Sequence, residues 1–380
     1  SKGTQADTLF WYDDIAIGIN ICEDIWIENG PAEEQVKQGA SLIININASP
    51  YDIQKNETRK EIVMKKALKL NVPIIYLNMV GGQDELVFDG GSFVVDDLGE
   101  IIYQASSFKE EVFHLDIDLK IKKQNDKSSL LIRPKTTKLK DIKSKPSMSE
   151  NESIYSALKL GLLDYVSKNK FTKVLIGISG GIDSALTAAI CVDALGAQNV
   201  IGVAMPSKYN SKDSLNDAIK LSTNLGIKLK TIEIEKIVDN FRETLKNSLN
   251  EELGQITDEN IQSRVRGNIL MGLSNQTGAM VVSTGNKSEM AVGYSTLYGD
   301  LAGGFALIKD LYKSKVYELS NYRNSISEVI PKDIITKEPS AELRPNQLDT
   351  DSLPDYEVLD KILNLYICLL YTSPSPRDRG

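Results

Sequence analysis

Ser179, Gly180, Gly181, Asp183 and Ser184 lie within Lys173–Ser184, KVLIGISGGIDS, and their types and spacing could hold a phosphate. The apolar run Val174, Leu175, Ile176 and Ile178 predicts a buried strand. The Ala/Leu-rich stretch after the turn predicts a helix that stops at Gly196. A strand feeding a glycine turn at a helix N-terminus makes an anion site, because free backbone N–H groups point outward and the helix dipole favours negative charge. Two glycines let the backbone approach a phosphate closely, and two serines add hydroxyl donors. Asp183 is the odd member: a carboxylate repels a phosphate unless a cation lies between them. The set predicts a nucleotide bound with Mg²⁺, against the plain alternative of a glycine turn joining a strand to a helix. No lysine follows the second glycine, so this is not the G-x-x-x-x-G-K-[ST] loop.

Further segments carry possible chemistry. Met205–Ser211, MPSKYNS, follows a strand and suits adenine and ribose, or a helix cap at Ser211. In Asn260–Met271, Arg264 and Arg266 read equally as phosphate-facing or water-facing. Ser283–Glu289, STGNKSE, repeats strand, glycine turn and helix start. There Thr284 can reach a nucleotide, and Glu289 could complete a Mg²⁺ shell with Asp183 or serve a helix start. Among the glycines of Gly293–Asp300, Tyr298 suits stacking on a flat ring and Asp300 an amide or hydroxyl partner. Lys313 could stabilise charge built up at a phosphate under attack. Cys22 ends a strand, where by residue type alone it reads as a buried structural cysteine.

The elements that must position these residues alternate between strand and helix. Strands are expected at Ile15–Ile21, Leu42–Ala48 and Pro73–Met79, with helices at Pro31–Gly39 and Asn56–Leu70. Hairpin-like runs follow at Glu85–Val95 and Ile101–Gln104, and VFHLDID around His114 is strand-like. A second series has helices at Ile154–Val166, Ser184–Leu195, Ser211–Leu225 and Asp258–Asn275, the last with an apolar face of Ile261, Val265, Ile269 and Leu273. Its strands are Lys173–Ile178, Val200–Met205, Leu229–Ile234 and Met280–Ser283. Strands separated by helices imply a doubly wound parallel sheet, with ligands beyond the carboxyl ends of the strands. The expected fold class is therefore α/β.

Composition bounds the function. A chain of 380 residues with a net charge of −8 accommodates two or three domains and disfavours a nucleic-acid surface. No apolar run spans a bilayer and no signal-peptide pattern is present. Cys22, Cys191 and Cys368 are widely separated and odd in number, so neither a disulfide framework nor a paired-cysteine zinc site is expected, and the cytoplasm is the default. The single histidine, His114, reads as structural, which weakens Ser-His and Cys-His mechanisms.

SGGIDS resembles the pyrophosphate loop of the N-type ATP pyrophosphatases. Taken in order with MPSKYNS, ENIQSRVRG, STGNKSE, GYSTLYGDLAGG and PSAELRPNQLDTDSLPDYEVLD, it resembles the NAD⁺ synthetase branch of that family. The front half, with NICEDIW, NASPY and VGGQDE through FDG, resembles the nitrilase-type glutaminase domain of glutamine-dependent NAD⁺ synthetases. The resemblance implies ATP, with Mg²⁺ on Asp183 and Glu289, held by Gly177, Ile178, Ser179, Gly180, Gly181, Ile182, Asp183, Ser184 and Thr284. It places deamido-NAD⁺ near Asn260, Glu289, Tyr298 and Asp300, with Lys313 catalytic, and has the segment from Pro339 to Asp360 close over the dinucleotide. It makes Cys22 the nucleophile that takes ammonia from glutamine, held by Ser49 and Lys55. It also implies a homo-oligomer.

The implied layout is a partial nitrilase-like α/β sandwich at 1–118, a lysine-rich linker at 119–148, a Rossmann-like synthetase domain of adenine nucleotide alpha hydrolase type at 149–367 and a non-native tail at 368–380. The family's glutamate base and lysine lie upstream of its cysteine, in sequence this chain does not carry, so the glutaminase half is expected to be incomplete and both ends to be cut. The expected reaction is ATP-dependent amidation of deamido-NAD⁺, with free ammonia or glutamine as nitrogen source. The alternatives are another ATP-pyrophosphatase amidotransferase such as GMP synthetase, a carbon–nitrogen hydrolase acting alone, or a nucleotide-binding chain without turnover.

Overall fold

A computed structural model describes residues 9–119 and 148–372, with side chains as far as 367. Most of the expected linker 119–148 and of the expected tail 368–380 lies outside the described residues. The chain divides into two compact units, Ser1–Gly161 and Leu162–Gly380. The division falls inside a helix rather than in the lysine-rich segment.

In the first unit the order is β1 (Leu9–Tyr12), β2 (Ile15–Ile21), α1 (Pro31–Lys37), β3 (Leu42–Asn47), α2 (Lys55–Leu70) and β4 (Ile74–Asn78). Then come β5 (Val80–Gln83), β6 (Leu86–Asp89), β7 (Phe93–Val95) and β8 (Ile101–Gln104). Six strands form a sheet in the order β1-β2-β3-β4-β7-β8, while β5 and β6 pair as a separate hairpin. Strands β2, β3 and β4 run parallel. The core joins Ile43, Ile74, Tyr76, Phe93 and Val95 from the strands to Val63 and Ala67 of α2 and Ala32 of α1. Each such aliphatic side chain contributes about 1.5–3 kcal/mol on burial.

The strand expected around His114 does not form. Residues 111–119 carry no strand, although Phe113, Leu115 and Ile117 still alternate inward. They pack on Ile75, Val94 and Tyr103, which belong to three neighbouring strands. The segment crosses the sheet face, so its alternation serves packing and not a ladder.

Helix α3 (Glu150–Lys168) precedes the second unit's sheet. There β9 (Val174–Gly177), α4 (Ile182–Leu195), β10 (Val200–Ala204), α5 (Lys212–Leu225) and β11 (Lys228–Thr231) lead to α6 (Glu235–Leu249) and α7 (Gln255–Thr277). Next are β12 (Met280–Ser283), α8 (Lys287–Val292), β13 (Phe305–Ala306), α9 (Lys313–Ile326), α10 (Lys332–Thr336) and α11 (Tyr356–Thr372). The sheet order is β11-β10-β9-β12-β13, and every pairing is parallel. The order reverses at β9, the switch point where doubly wound sheets open a crevice for ligands. The sheet is held from the α7 side by Leu175, Val203 and Val281 packed on Ile261 and Val265, with Ile269 and Leu273 half-buried beside them. Helix α4 is buried from Ser184 to Cys191. Ser211 caps α5, its hydroxyl accepting from Ser214 N at 3.1 Å.

Candidate active site

The glycine turn lies at the carboxyl end of β9, between the strand and α4. Gly180 has φ +85, and a side chain there would run into the backbone of Ser214. The turn is closed from within. Ser184 Oγ donates to Gly181 O at 3.0 Å, Gly181 N donates to Ser179 Oγ at 3.2 Å, and the two serine hydroxyls lie 3.2 Å apart. Ser184 is buried, so its hydroxyl shapes the loop where the sequence pattern predicted a ligand donor. No side chain caps α4, which leaves its first-turn N–H groups for an anion.

The turn faces a cleft of about 620 Å³. Asp183, Asn260, Thr284, Glu289, Asp300 and Lys313 all line it. Lys313 Nζ donates to Asp183 Oδ2 at 2.5 Å and to Glu289 Oε1 at 3.1 Å. Asn286, the N-cap of α8, does two jobs: its Oδ1 accepts from Glu289 N at 3.0 Å and its Nδ2 donates to Asp183 Oδ1 at 2.9 Å. Burial, reinforced by the charge of Asp183, pushes the Glu289 carboxyl up to about 7 against the pull of Lys313. Burial acts to lower the Lys313 ammonium, but Asp183 and Glu289 outweigh it and hold Lys313 well above the usual lysine range. Two carboxylates thus share one cation that stays charged. Among the described residues no third acid, histidine or cysteine joins them to make a metal cluster. The donor pair fits a Mg²⁺ ion that takes its remaining ligands from phosphate and water, not an all-protein cage.

On the opposite wall, Asp300 Oδ1 accepts from Thr296 N at 2.7 Å and from Ser263 Oγ at 3.0 Å, and Thr296 Oγ1 donates to Asn260 Oδ1 at 2.8 Å. These bonds pin the loop 293–300 to α7. Gly267 makes the close approach possible: a Cβ there would meet Tyr298 O at 3.0 Å and Gly299 O at 2.9 Å. Tyr298 is not brought to the cleft. Its backbone is left-handed, φ +62, and its side chain is 76% exposed. The two arginines part company, as residues two apart on a helix must. Arg264 is exposed, whereas Arg266 lines the cleft and donates to Met205 O and to Asn210 Oδ1, each at 3.1 Å.

The polar segment after Pro339 forms part of the cleft wall through Pro339, Ser340, Ala341, Glu342 and Leu343. Glu342 anchors it, accepting from Ser214 Oγ at 2.5 Å, Asn210 Nδ2 at 2.8 Å and Lys337 Nζ at 3.0 Å. Burial would raise this carboxyl, but those three partners hold it below the ordinary glutamate value.

In the first unit, Cys22 directly follows β2 and opens a 3-10 turn, half-buried. Its φ of +51 is a left-handed conformation unusual for a non-glycine residue. Ser49 follows the adjacent parallel strand β3 and is held on all sides. Its N–H donates to Asn78 Oδ1 at 2.9 Å, its carbonyl accepts from Arg59 Nη2 at 2.8 Å, and its hydroxyl accepts from Arg59 Nε at 3.1 Å. Arg59 is buried and pairs with Asp89 through both carboxylate oxygens, at 2.8 and 2.9 Å. Lys55 is the first residue of α2.

The family model described as NAD synthase matches residues 154–375, which contain the whole cleft. The chain belongs to the NAD synthase family. The model described as carbon-nitrogen hydrolase matches residues 2–123, in line with the nitrilase-type expectation for the first unit. A glutamine-dependent NAD(+) synthetase of Thermotoga maritima is 48% identical over 376 residues, covering 93% of this chain and 65% of that protein. One of Aquifex aeolicus is 46% identical over 367 residues, covering 92% of this chain and 65% of that protein. The solved glutamine-dependent NAD+ synthetase of Acinetobacter baumannii in complex with ADP matches at TM-score 0.79 and 42% identity, over 96% of this chain and 64% of that one. The chain spans about 65% of the length of the curated relatives it matches.

Within this NAD synthase cleft, the residues that sequence reading missed are those that hold other residues. Asn286 sits inside STGNKSE without standing out as a link to Asp183. Glu342 and Gln262, whose Nε2 donates to Leu343 O at 2.9 Å, are ordinary polar residues in sequence. Only the fold brings Glu342 to the cleft and Gln262, itself buried, to Leu343 in the cleft wall.

Proposed function

We propose that the second unit catalyses ATP-dependent amidation of deamido-NAD⁺ to NAD⁺, releasing AMP and pyrophosphate. The observation that carries this reading is the placement of the uncapped α4 N-terminus and the Lys313–Asp183–Glu289 cluster on one cleft, at the switch point of the sheet. The amide groups of the 177–184 turn, with Thr284, bind the ATP phosphates. The nicotinate carboxylate of deamido-NAD⁺, positioned by Asn260 and Glu289, attacks the α-phosphorus, and the bond to the β-phosphate oxygen breaks. Lys313 holds its proton throughout and stabilises the charge that builds on the phosphoryl oxygens. Ammonia then attacks the acyl carbon of the adenylate, loses a proton, and AMP departs. Adenylation is needed because an unactivated carboxylate would have to expel oxide. Asp183 and Glu289 would hold Mg²⁺, which neutralises phosphate charge when bound.

In the whole protein the ammonia comes from glutamine. The Cys22 sulfur attacks the side-chain amide, a thioester forms and ammonia leaves, with Ser49 and Lys55 holding the glutamine. The same reading puts a homo-oligomer in the cytoplasm. Among the described residues no helix is long and apolar enough to cross a membrane. The test is product formation from ATP, Mg²⁺, deamido-NAD⁺ and ammonium. NAD⁺ and AMP in equal amounts support the reading; AMP formation with xanthylate and none with deamido-NAD⁺ overturns it.

A further inference from the structure

Helix α11 presents one side chain to Lys313 and a second to the residues beside its backbone. Tyr356 and Asp360 are four residues apart and so share one helix face. The Tyr356 ring centroid lies 5.3 Å from Lys313 Nζ, and its hydroxyl donates to Asp349 Oδ2 at 2.8 Å. Asp360, 5% exposed, lies at the other end of Lys313 and meets its backbone through neighbours. Asp360 Oδ2 accepts from Ser314 N at 2.9 Å, and its Oδ1 accepts a short hydrogen bond from the Ser288 hydroxyl. Ser288 Oγ in turn accepts from Lys313 N at 2.9 Å.

This chain of bonds replaces a missing cap. The residue before α9, Tyr312, offers no side-chain cap, so the first N–H groups of α9 need other acceptors. Ser288 and Asp360 supply them, and the Asp360 charge also suits the positive end of the helix. The geometric consequence lies in what Ser288 adjoins. It immediately precedes Glu289 on α8 and is fully buried, so one hydroxyl joins the backbone of Lys313 to the turn that carries Glu289. Neither Ser288 nor Asp360 lines the cleft.

We propose that Asp360, acting through Ser288, is a positioning residue that sets where Lys313 and Glu289 meet over the reacting phosphate. The proposal rests on the adenylation chemistry proposed above. Asp360→Asn keeps the shape and removes the charge and one acceptor oxygen. Ser288→Ala removes the shared hydroxyl. The double variant tests whether the two act as a unit.

The experiment measures ammonium-dependent AMP formation by the chain, with kcat and the KM for ATP resolved, beside the thermal midpoint of each variant. Each single variant is expected to lower kcat about 10-fold to 100-fold, as a misplaced catalytic group does. The KM for ATP stays within about twofold, because the phosphate turn is untouched. The double variant is expected to be no slower than the worse single one, as for residues of one network. A lowered midpoint with unchanged kcat means a structural role and overturns the proposal, as do losses that multiply in the double variant. If Asp360→Asn fails to fold, Ser288→Ala alone decides by the same kcat criterion. Wild-type chain assayed in parallel separates the two levels: no activity in wild type overturns the proposed reaction and with it this role. Activity in wild type with undiminished kcat in the variants overturns the positioning role alone.

Discussion

Arg59–Asp89 in the first unit and Lys313–Asp183–Glu289 in the second are both buried ion clusters, and they close in different ways. All five guanidinium donors of Arg59 are used within the protein, on Asp89, Ser49 and Pro50. The cluster has one charge of each sign and pins Ser49 beside the end of β3. The second cluster sets two carboxylates against one ammonium and borders a 620 Å³ cleft. Its imbalance shows in Glu289, which burial and Asp183 hold near 7 despite Lys313. A balanced cluster with every donor used can only support; an unbalanced one facing a cleft can still take a cation or meet a phosphate.

Removing the cation from each cluster should therefore break different things. Lys313→Met should cut ammonium-dependent AMP formation on the order of 10²–10³-fold, the usual loss when a charge-stabilising group leaves a reacting centre. A fall of less than about threefold would mean that the ammonium serves the fold alone. Arg59→Ala should lower the stability of the first unit by about 3–5 kcal/mol, because it leaves Asp89 buried without its partner. Denaturant titration with a probe in that unit reads the loss, and an unshifted midpoint would contradict the account.

Glu289 sharpens the contrast through pH. Below about 7 it carries a proton and offers no anionic oxygen; above that it does. The affinity for Mg²⁺·ATP should rise with pH through this range, and Glu289→Gln should flatten the profile in calorimetric titrations. The linkage to folding has the opposite sense. Between the ordinary carboxylate value and about 7 the folded unit keeps a proton the unfolded chain has released, so this group's contribution to stability falls as pH rises. The smallest effect concerns the thiols. Cys22 is half-buried, whereas Cys191 is fully buried in α4 and its thiol is pushed far up by burial. Iodoacetamide followed by peptide mass spectrometry should label Cys22 in the native chain and Cys191 only after unfolding.

Features that depend on neighbouring residues were legible in the sequence. The β9–turn–α4 unit, the Ser211 cap and the apolar face of α7 each follow from a local pattern. What stayed hidden depends on distance along the chain. Lys313 and Asp183 are 130 residues apart, and Glu342 reaches Ser214 across 128; no spacing rule links them. Helix α6 is not among the expected elements, although Ile237, Val238, Phe241 and Leu245 recur there at helical spacing; Val238 is its buried residue. Tyr298 shows the limit of reading composition: an aromatic among glycines suits ring stacking, but here the side chain is exposed and outside the cleft lining. Ser184 of the turn shows the converse, since it is buried and its hydroxyl donates to the loop itself, whereas Ser179 stays exposed on the cleft.

The most direct test of the central claim is isotope exchange between pyrophosphate and ATP with ammonia and glutamine left out. Adenylation of the bound acceptor is reversible and needs no nitrogen source, so labelled pyrophosphate should enter ATP when deamido-NAD⁺ is present and not when it is absent. Exchange that ignores deamido-NAD⁺, or none with it at saturating ATP and Mg²⁺, would contradict the proposal that this cleft activates the nicotinate carboxylate.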